Sequence, residues 1–175
     1  MKWCAPWLLF ALVPIAALAA DDPCADFTWD VHAELAVLAR DSVRLQAGTD
    51  AAALPPVHQS QAYRLSLAKQ VTVHFETDPG KYSDALGRFA GMVRLRIAHA
   101  GRYRVSLDTA AWVDVVAAGH IVPAAAYTGS HDCARLRKVV EFQLPAGLAT
   151  VQVSDSDADH VRLAVTASSY QPGEQ

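Results

Sequence analysis

Any chemistry in this chain would have to come from a few short constellations. "GSHDCARLRK", residues 129–138, gathers His131, Asp132, Cys133 and three basic side chains into ten positions. A thiolate beside a histidine is the minimum for nucleophilic catalysis, and both groups also bind metals. "HFE" places His74 and Glu76 two residues apart, on one face if the segment is a strand. That is the local half of the two-histidine, one-carboxylate triad that holds non-haem iron (Fe). His99, His120 or His131 could supply the third ligand. "WVD" sets Trp112 and Asp114 on one strand face, an aromatic plate beside a carboxylate. Sandwich modules that bind sugars use that pairing, the ring stacking and the acid accepting hydroxyl protons.

Spacing decides against several of these. Zinc needs further ligands close by, and the chain has no C-x-x-C and no C-x-H. "DSDADH", residues 155–160, opens like a calcium loop, but His160 stands where the sixth-position glycine belongs and Thr166 where the twelfth-position glutamate belongs. A polar turn is the simpler reading. The contiguous Ser130-His131-Asp132 is no hydrolase triad, because such triads converge from separate segments. No G-x-S-x-G and no Gly-rich phosphate loop occurs. His74 and Glu76 lie opposite Val73 and Phe75, which have the stronger claim on a core, so the pair is expected at the surface without a metal. For Trp112 and Asp114 two readings stay open. Either they form an exposed binding plate, or Trp112 joins Val116 in a core while Asp114 bonds a neighbouring strand or turn.

The cysteines depend on the N-terminus. "MKWCAPWLLFALVPIAALAA" has a positive Lys2, an apolar run from Trp7 to Leu18 and a small-residue "ALA" at 17–19. That is the pattern of a secretory signal peptide over residues 1–20, too short and wrongly flanked for a membrane span. The expected product is periplasmic or secreted. Of the three cysteines, Cys4 leaves with the leader, so Cys24 and Cys133 remain in an oxidising compartment and are expected to pair. A bridge closing so long a loop is worth at most about 4–5 kcal/mol in the chain-entropy model. On this reading the 129–138 cluster is a tether. A reactive Cys133–His131 pair would need the thiol free.

Composition fits one domain over residues 21–175, with 52% hydrophobic residues to fill its core. The formal charge of −3 becomes about −4 once Lys2 is removed, and no polybasic run occurs. Neither nucleic acid nor a membrane surface is an expected partner. Past a linker-like stretch at 46–61, where Pro55-Pro56 opposes regular structure, the pattern is period two. Tyr63, Leu65 and Leu67 share one face, as do Val71, Val73 and Phe75, then Val93, Leu95 and Ile97, then Tyr103, Val105 and Leu107. "WVDVV", "VVEFQL", "TVQVS" and "VRLAVT" continue it. "DPGK", "HAGR", "AAGH", "LPAG" and "SDSDAD" punctuate it as turns. About eight antiparallel strands, each with one apolar face, predict an all-β, two-sheet, jelly-roll-like sandwich. Only residues 31–40 could form a short N-terminal helix. If "HAGR" closes a hairpin, Arg96 falls opposite Arg104, a like-charge pair that needs an acidic cap such as Glu76 or Asp108, or an anionic ligand.

The residues C-x-x-F-x-W at Cys24, Phe27 and Trp29, with "FAGMVRL", "AGRYRVSLDTAAWVDVV", "HDCARLRKVVEFQLPAG" and "VQVS", resemble a family of small exported proteobacterial β-sandwich proteins of unknown function. The resemblance spans nearly all of the chain after the leader. Members have carried the label homogentisate 1,2-dioxygenase, which implies an iron cofactor. Two functions follow as expectations. One is an exported, non-catalytic module binding a small molecule, glycan or protein partner, with Trp112, Asp114, Arg96 and Arg104 as candidate ligand-binding residues. The alternative is an iron-dependent dioxygenase.

Overall fold

The computed structural model describes residues 22–168. The leader pattern at 1–20, with Cys4, lies outside them. Two sheets face each other as a sandwich. The first has the order β1 (Val43–Gln46), β3 (Ala62–Ser66), β12 (His160–Ala167), β6 (Gly101–Leu107), β10 (Lys138–Leu144) and β9 (Ala124–Gly129). The second runs β2 (Pro56–Val57), β5 (Phe89–Ile97), β11 (Gly147–Ser156), β7 (Trp112–Ala117) and β8 (His120–Val122), with β4 (Ala68–Lys69) also paired to β5. There are twelve strands rather than about eight, and the sheets are mixed. β1 runs parallel to β3 and β2 parallel to β5; the other strand pairs are antiparallel.

The period-two faces were read correctly in most strands. Leu65, Val93, Leu95, Val105, Leu107, Val115, Phe142, Val151, Leu163 and their neighbours meet between the sheets and are almost wholly shielded. Burying each such aliphatic or aromatic side chain contributes roughly 1.5–3 kcal/mol. The connections differ from expectation. "HAGR", "LPAG" and "SDSDAD" do turn the chain, but each carries it from one sheet to the other. Only "AAGH" closes a hairpin, where Ala118 (φ 52°) and Gly119 (φ 76°) supply the two left-handed residues of a tight two-residue turn.

Two segments depart outright. Val71–Glu76 is not a strand. Gln70–Thr72 forms a single 3-10 turn, in which the Thr72 hydroxyl donates to the Lys69 carbonyl, and Val71 stands exposed. The free side of β5 is already taken by β2, β4 and a bridge between Gly48 and Met92, so no edge remains for this segment to join. Conversely, Pro56–Val57 pairs with Arg94–Leu95 despite the prolines. This is an edge position, where a missing N–H leaves no ladder bond unmade.

Each outer face has a cover. Over the first sheet lies the N-terminal segment with α1 (His32–Leu38), whose Val37 and Leu38 pack with Leu136, Val139 and Ala164. The Cys24–Cys133 disulfide, spanning 109 residues, pins it there with a Cα–Cα distance of 4.6 Å. Over the second sheet lies the irregular stretch 70–88. No helix among the described residues is long and apolar enough to cross a membrane.

Candidate functional site

The last residues before β10 form the predicted tether. The Ser130 hydroxyl accepts from the backbone N–H groups of Asp132 (3.2 Å) and Cys133 (3.4 Å), turning the chain so that the thiol reaches Cys24. Arg137 donates to the Ser130 carbonyl at 2.8 Å and lies against the His131 ring. Cys133 is therefore bonded sulfur, with no thiol to pair with His131.

Arg96 and Arg104 are not neighbours. β5 and β6 belong to different sheets, so these arginines project from opposite outer faces with the whole sandwich between them. Apolar alternation is satisfied equally by a hairpin and by an arch between facing sheets, and here the arch occurs. Arg96 is exposed and sits across from Leu148. Arg104 is buried against Glu141 (Nε to Oε2, 3.0 Å) and 3.6 Å from Glu34, with its guanidinium 5.1 Å from the Trp29 ring centroid. Burial works to raise the Glu141 carboxyl, but hydrogen bonds from Arg104, Ser168 and Arg102 outweigh it and hold the pKa below the usual value. Thr166 donates to the other buried acid, Glu34, at 2.7 Å. This cluster fastens the N-terminal cover.

His74 and Glu76 are likewise separated in role. His74 is exposed, its backbone N–H on the Thr49 carbonyl. Glu76 turns onto the second sheet, where its carboxylate accepts the Thr150 hydroxyl and lies 3.6 Å from Arg94. The iron implied by the resemblance finds no fitting ligand set: no three His, Cys, Asp or Glu side chains among the described residues are placed to hold one ion.

Trp112 and Asp114 do share a face, the outer face of β7. The Trp112 indole N–H donates to Asp114 Oδ1 at 2.9 Å, and Gly80 N–H donates to Oδ2 at 2.8 Å. Asp114 is 6% exposed and its two oxygens are occupied. It orients the indole at the border of a cleft. Gly80 is needed for the approach, since a Cβ there would come within 2.9 Å of the indole nitrogen. The indole itself remains 37% exposed.

That exposed ring borders two adjoining depressions at the β8–β9 edge. The more apolar one, about 480 Å³, opens between the sheets over Val113, Val140 and Phe142. Tyr127 of β9, 76% exposed, and Lys138 of β10 complete its mouth. The Lys138 ammonium lies 5.4 Å from the Trp112 ring centroid and donates to the Ala111 carbonyl at 2.9 Å. Burial pushes the Lys138 pKa down, and the nearby charges of Lys81 and Arg137 push the same way.

The second depression, about 430 Å³, is lined by Lys81, Arg137, Lys138 and Asp155 among others. Asp155 lies at an irregularity in β11, with φ of 53°. The Gln70 side chain holds it there by accepting its backbone N–H at 2.6 Å. Its carboxylate is 2.7 Å from Lys81 and 3.4 Å from Arg88, yet Oδ1 accepts no hydrogen bond from the described residues. Sequence reading missed Tyr127, Lys138 and Asp155, which come from three strands of both sheets. The left-handed Asp155 in "SDSDAD" was read as a turn residue. Compared with known proteins, the chain matches no family model, no curated protein and no solved structure.

Proposed function

We propose that this is an exported, non-catalytic β-sandwich module that binds a ring-bearing small molecule or glycan in the cleft beneath Trp112 and Tyr127. One observation carries the reading. The Trp112 N–H is already engaged by Asp114, so the indole offers a ligand the part of its ring that Lys138 leaves open and not a hydrogen bond. A fixed aromatic face at the mouth of a concavity of this size suits stacking against a flat ring. Concavity argues for a small ligand before a protein surface. Export is supported by the leader pattern and by a disulfide of the kind that persists outside the reducing cytosol.

The test is a thermal-shift screen of the mature protein against oligosaccharides and ring-bearing small molecules. At least one compound raises Tm, and Trp112→Ala with Tyr127→Ala abolishes that shift while circular dichroism stays unchanged. Hits that survive the double substitution would overturn the reading. So would an absence of hits when the same face captures another exported protein.

A further inference from the structure

The cleft carries a charge pattern that a neutral ring would leave unanswered. The whole chain has a formal charge of −3, yet four cations, Lys81, Arg88, Arg137 and Lys138, face two carboxylates, Asp155 and Asp157, around the second depression. Lys81 and Arg88 are paired with those acids. Lys138 and Arg137 are not. Their hydrogen bonds go to the Ala111 and Ser130 carbonyls and the His131 ring, and neither forms an ion pair with a carboxylate among the described residues. Two adjacent, partly buried cations without a counter-ion repel each other and lose hydration, and a bound anion relieves both costs.

Asp155 adds an opposite requirement. It lines the same depression, and its Oδ1, shielded from solvent, has Arg88 Nε 3.4 Å away but accepts no hydrogen bond from the described residues. A buried acceptor that is paired but not hydrogen-bonded is incompletely compensated. Sulfate or chloride brings acceptors only and cannot serve it, and hydrogenphosphate, which can donate, has no ring to lay on Trp112 and Tyr127. A neutral sugar can donate to it but leaves Lys138 and Arg137 uncompensated. A ring that carries both hydroxyls and an anionic group answers both.

Resting on the binding reading above, we infer that the cleft takes an acidic sugar. Its ring stacks on Trp112 and Tyr127, its carboxylate or sulfate lies against Lys138 and Arg137, and one hydroxyl donates to Asp155 Oδ1. Burial, and then the like charges of Lys81 and Arg137, push the Lys138 pKa down, and an anion seated there would oppose both.

Isothermal titration of the mature protein tests it with two sets of probes. One pairs uronate-containing tetrasaccharides with their methyl esters; the other pairs sulfated tetrasaccharides with their desulfated forms. In at least one set the charged member binds ten-fold or more tighter than its neutral partner, and the advantage shrinks as salt is raised. Which set responds tells carboxylate from sulfate. Lys138→Met, which removes the ammonium and keeps an unbranched apolar chain, abolishes most of the charged member's advantage and leaves the share due to Arg137. Equal wild-type binding of charged and neutral members, lost in Trp112→Ala, overturns the acidic sugar and leaves the ring-binding reading intact. Binding of no member, or binding indifferent to Trp112→Ala, overturns both.

Discussion

The two outer faces of this sandwich are covered in opposite ways. On the first sheet the cover is an apolar segment: Leu38, Leu136 and Val139 are almost completely buried, and a disulfide closes the rim. Its polar part is a compact charge cluster in which Arg104 serves Glu141 and Glu34. On the second sheet the cover has little core of its own, chiefly Val73 and Phe75 on Ala90 and Met92. There the sheet reaches up to the loop. Gln152 accepts from the backbone N–H groups of Glu76 and Thr77 and donates to the Thr77 carbonyl, while Ser154 donates to the Lys81 carbonyl. An irregular backbone cannot satisfy its own polar groups, so polar side chains of β11 and β7 do it instead. The first cover is a glued lid and the second is a hydrogen-bonded one. The aromatic cleft adjoins the second, where Asp114 joins Gly80 to Trp112.

Substitutions should separate the two covers. Arg104→Met leaves Glu34 buried without its counter-ion and Glu141 with Arg102 alone, and is expected to cost about 3–5 kcal/mol in urea denaturation. Adding Glu141→Gln to it should recover part of that loss; no recovery would mean that packing, and not charge, fastens this cover. The same cluster sets an acid limit. Because the Glu141 pKa is lowered on folding, its contribution is complete above the ordinary value of 4.5 and is lost as pH falls through the folded value. Glu141→Gln flattens that acid slope.

Removing both cysteines (Cys24→Ser with Cys133→Ser) comes next, at about 2–4 kcal/mol. Hydrogen exchange should then rise first in α1, with β5 and β11 unaffected. Uniform loosening of both sheets would show that the disulfide staples the whole sandwich. Gln152→Leu is smaller, about 1–3 kcal/mol, since it strands three backbone groups of the opposite cover. Faster exchange confined to residues 74–83 is the expected signature. The smallest effect belongs to His74→Ala. Its side chain is exposed, so melting should show a change within about 0.5 kcal/mol.

The contrast also explains what was legible in the sequence. Alternation told which side chains of β5, β6, β10 and β12 face inward, because an apolar face must meet another wherever it lies. It could not tell which sheet a strand joins. Ile97 and Tyr103 both point to the same core from opposite sheets, and the expected pairing of Arg96 with Arg104 failed for that reason. Cys24 with Cys133 was legible because it rests on counting and compartment rather than on topology. The Trp112–Asp114 pair was legible as a shared face, but the role of the acid was not. It depends on Gly80, brought in by a loop with no periodic signal. Thr150, Gln152 and Ser154 read as outward-facing and are so, yet all three are buried under that loop.

Pro123 is the one residue between β8 and β9, and those strands belong to different sheets. At this edge the sandwich is therefore stitched shut by a single peptide unit whose φ is locked by its ring, after a residue that proline keeps extended. Ile121, Val122, Pro123 and Ala124 also line the apolar cleft. The corner works as a spacer gauge: it fixes how far apart the sheets stand beside the cleft. Slot width is then a covalent property of the chain, set before any hydrogen bond or charge acts across it.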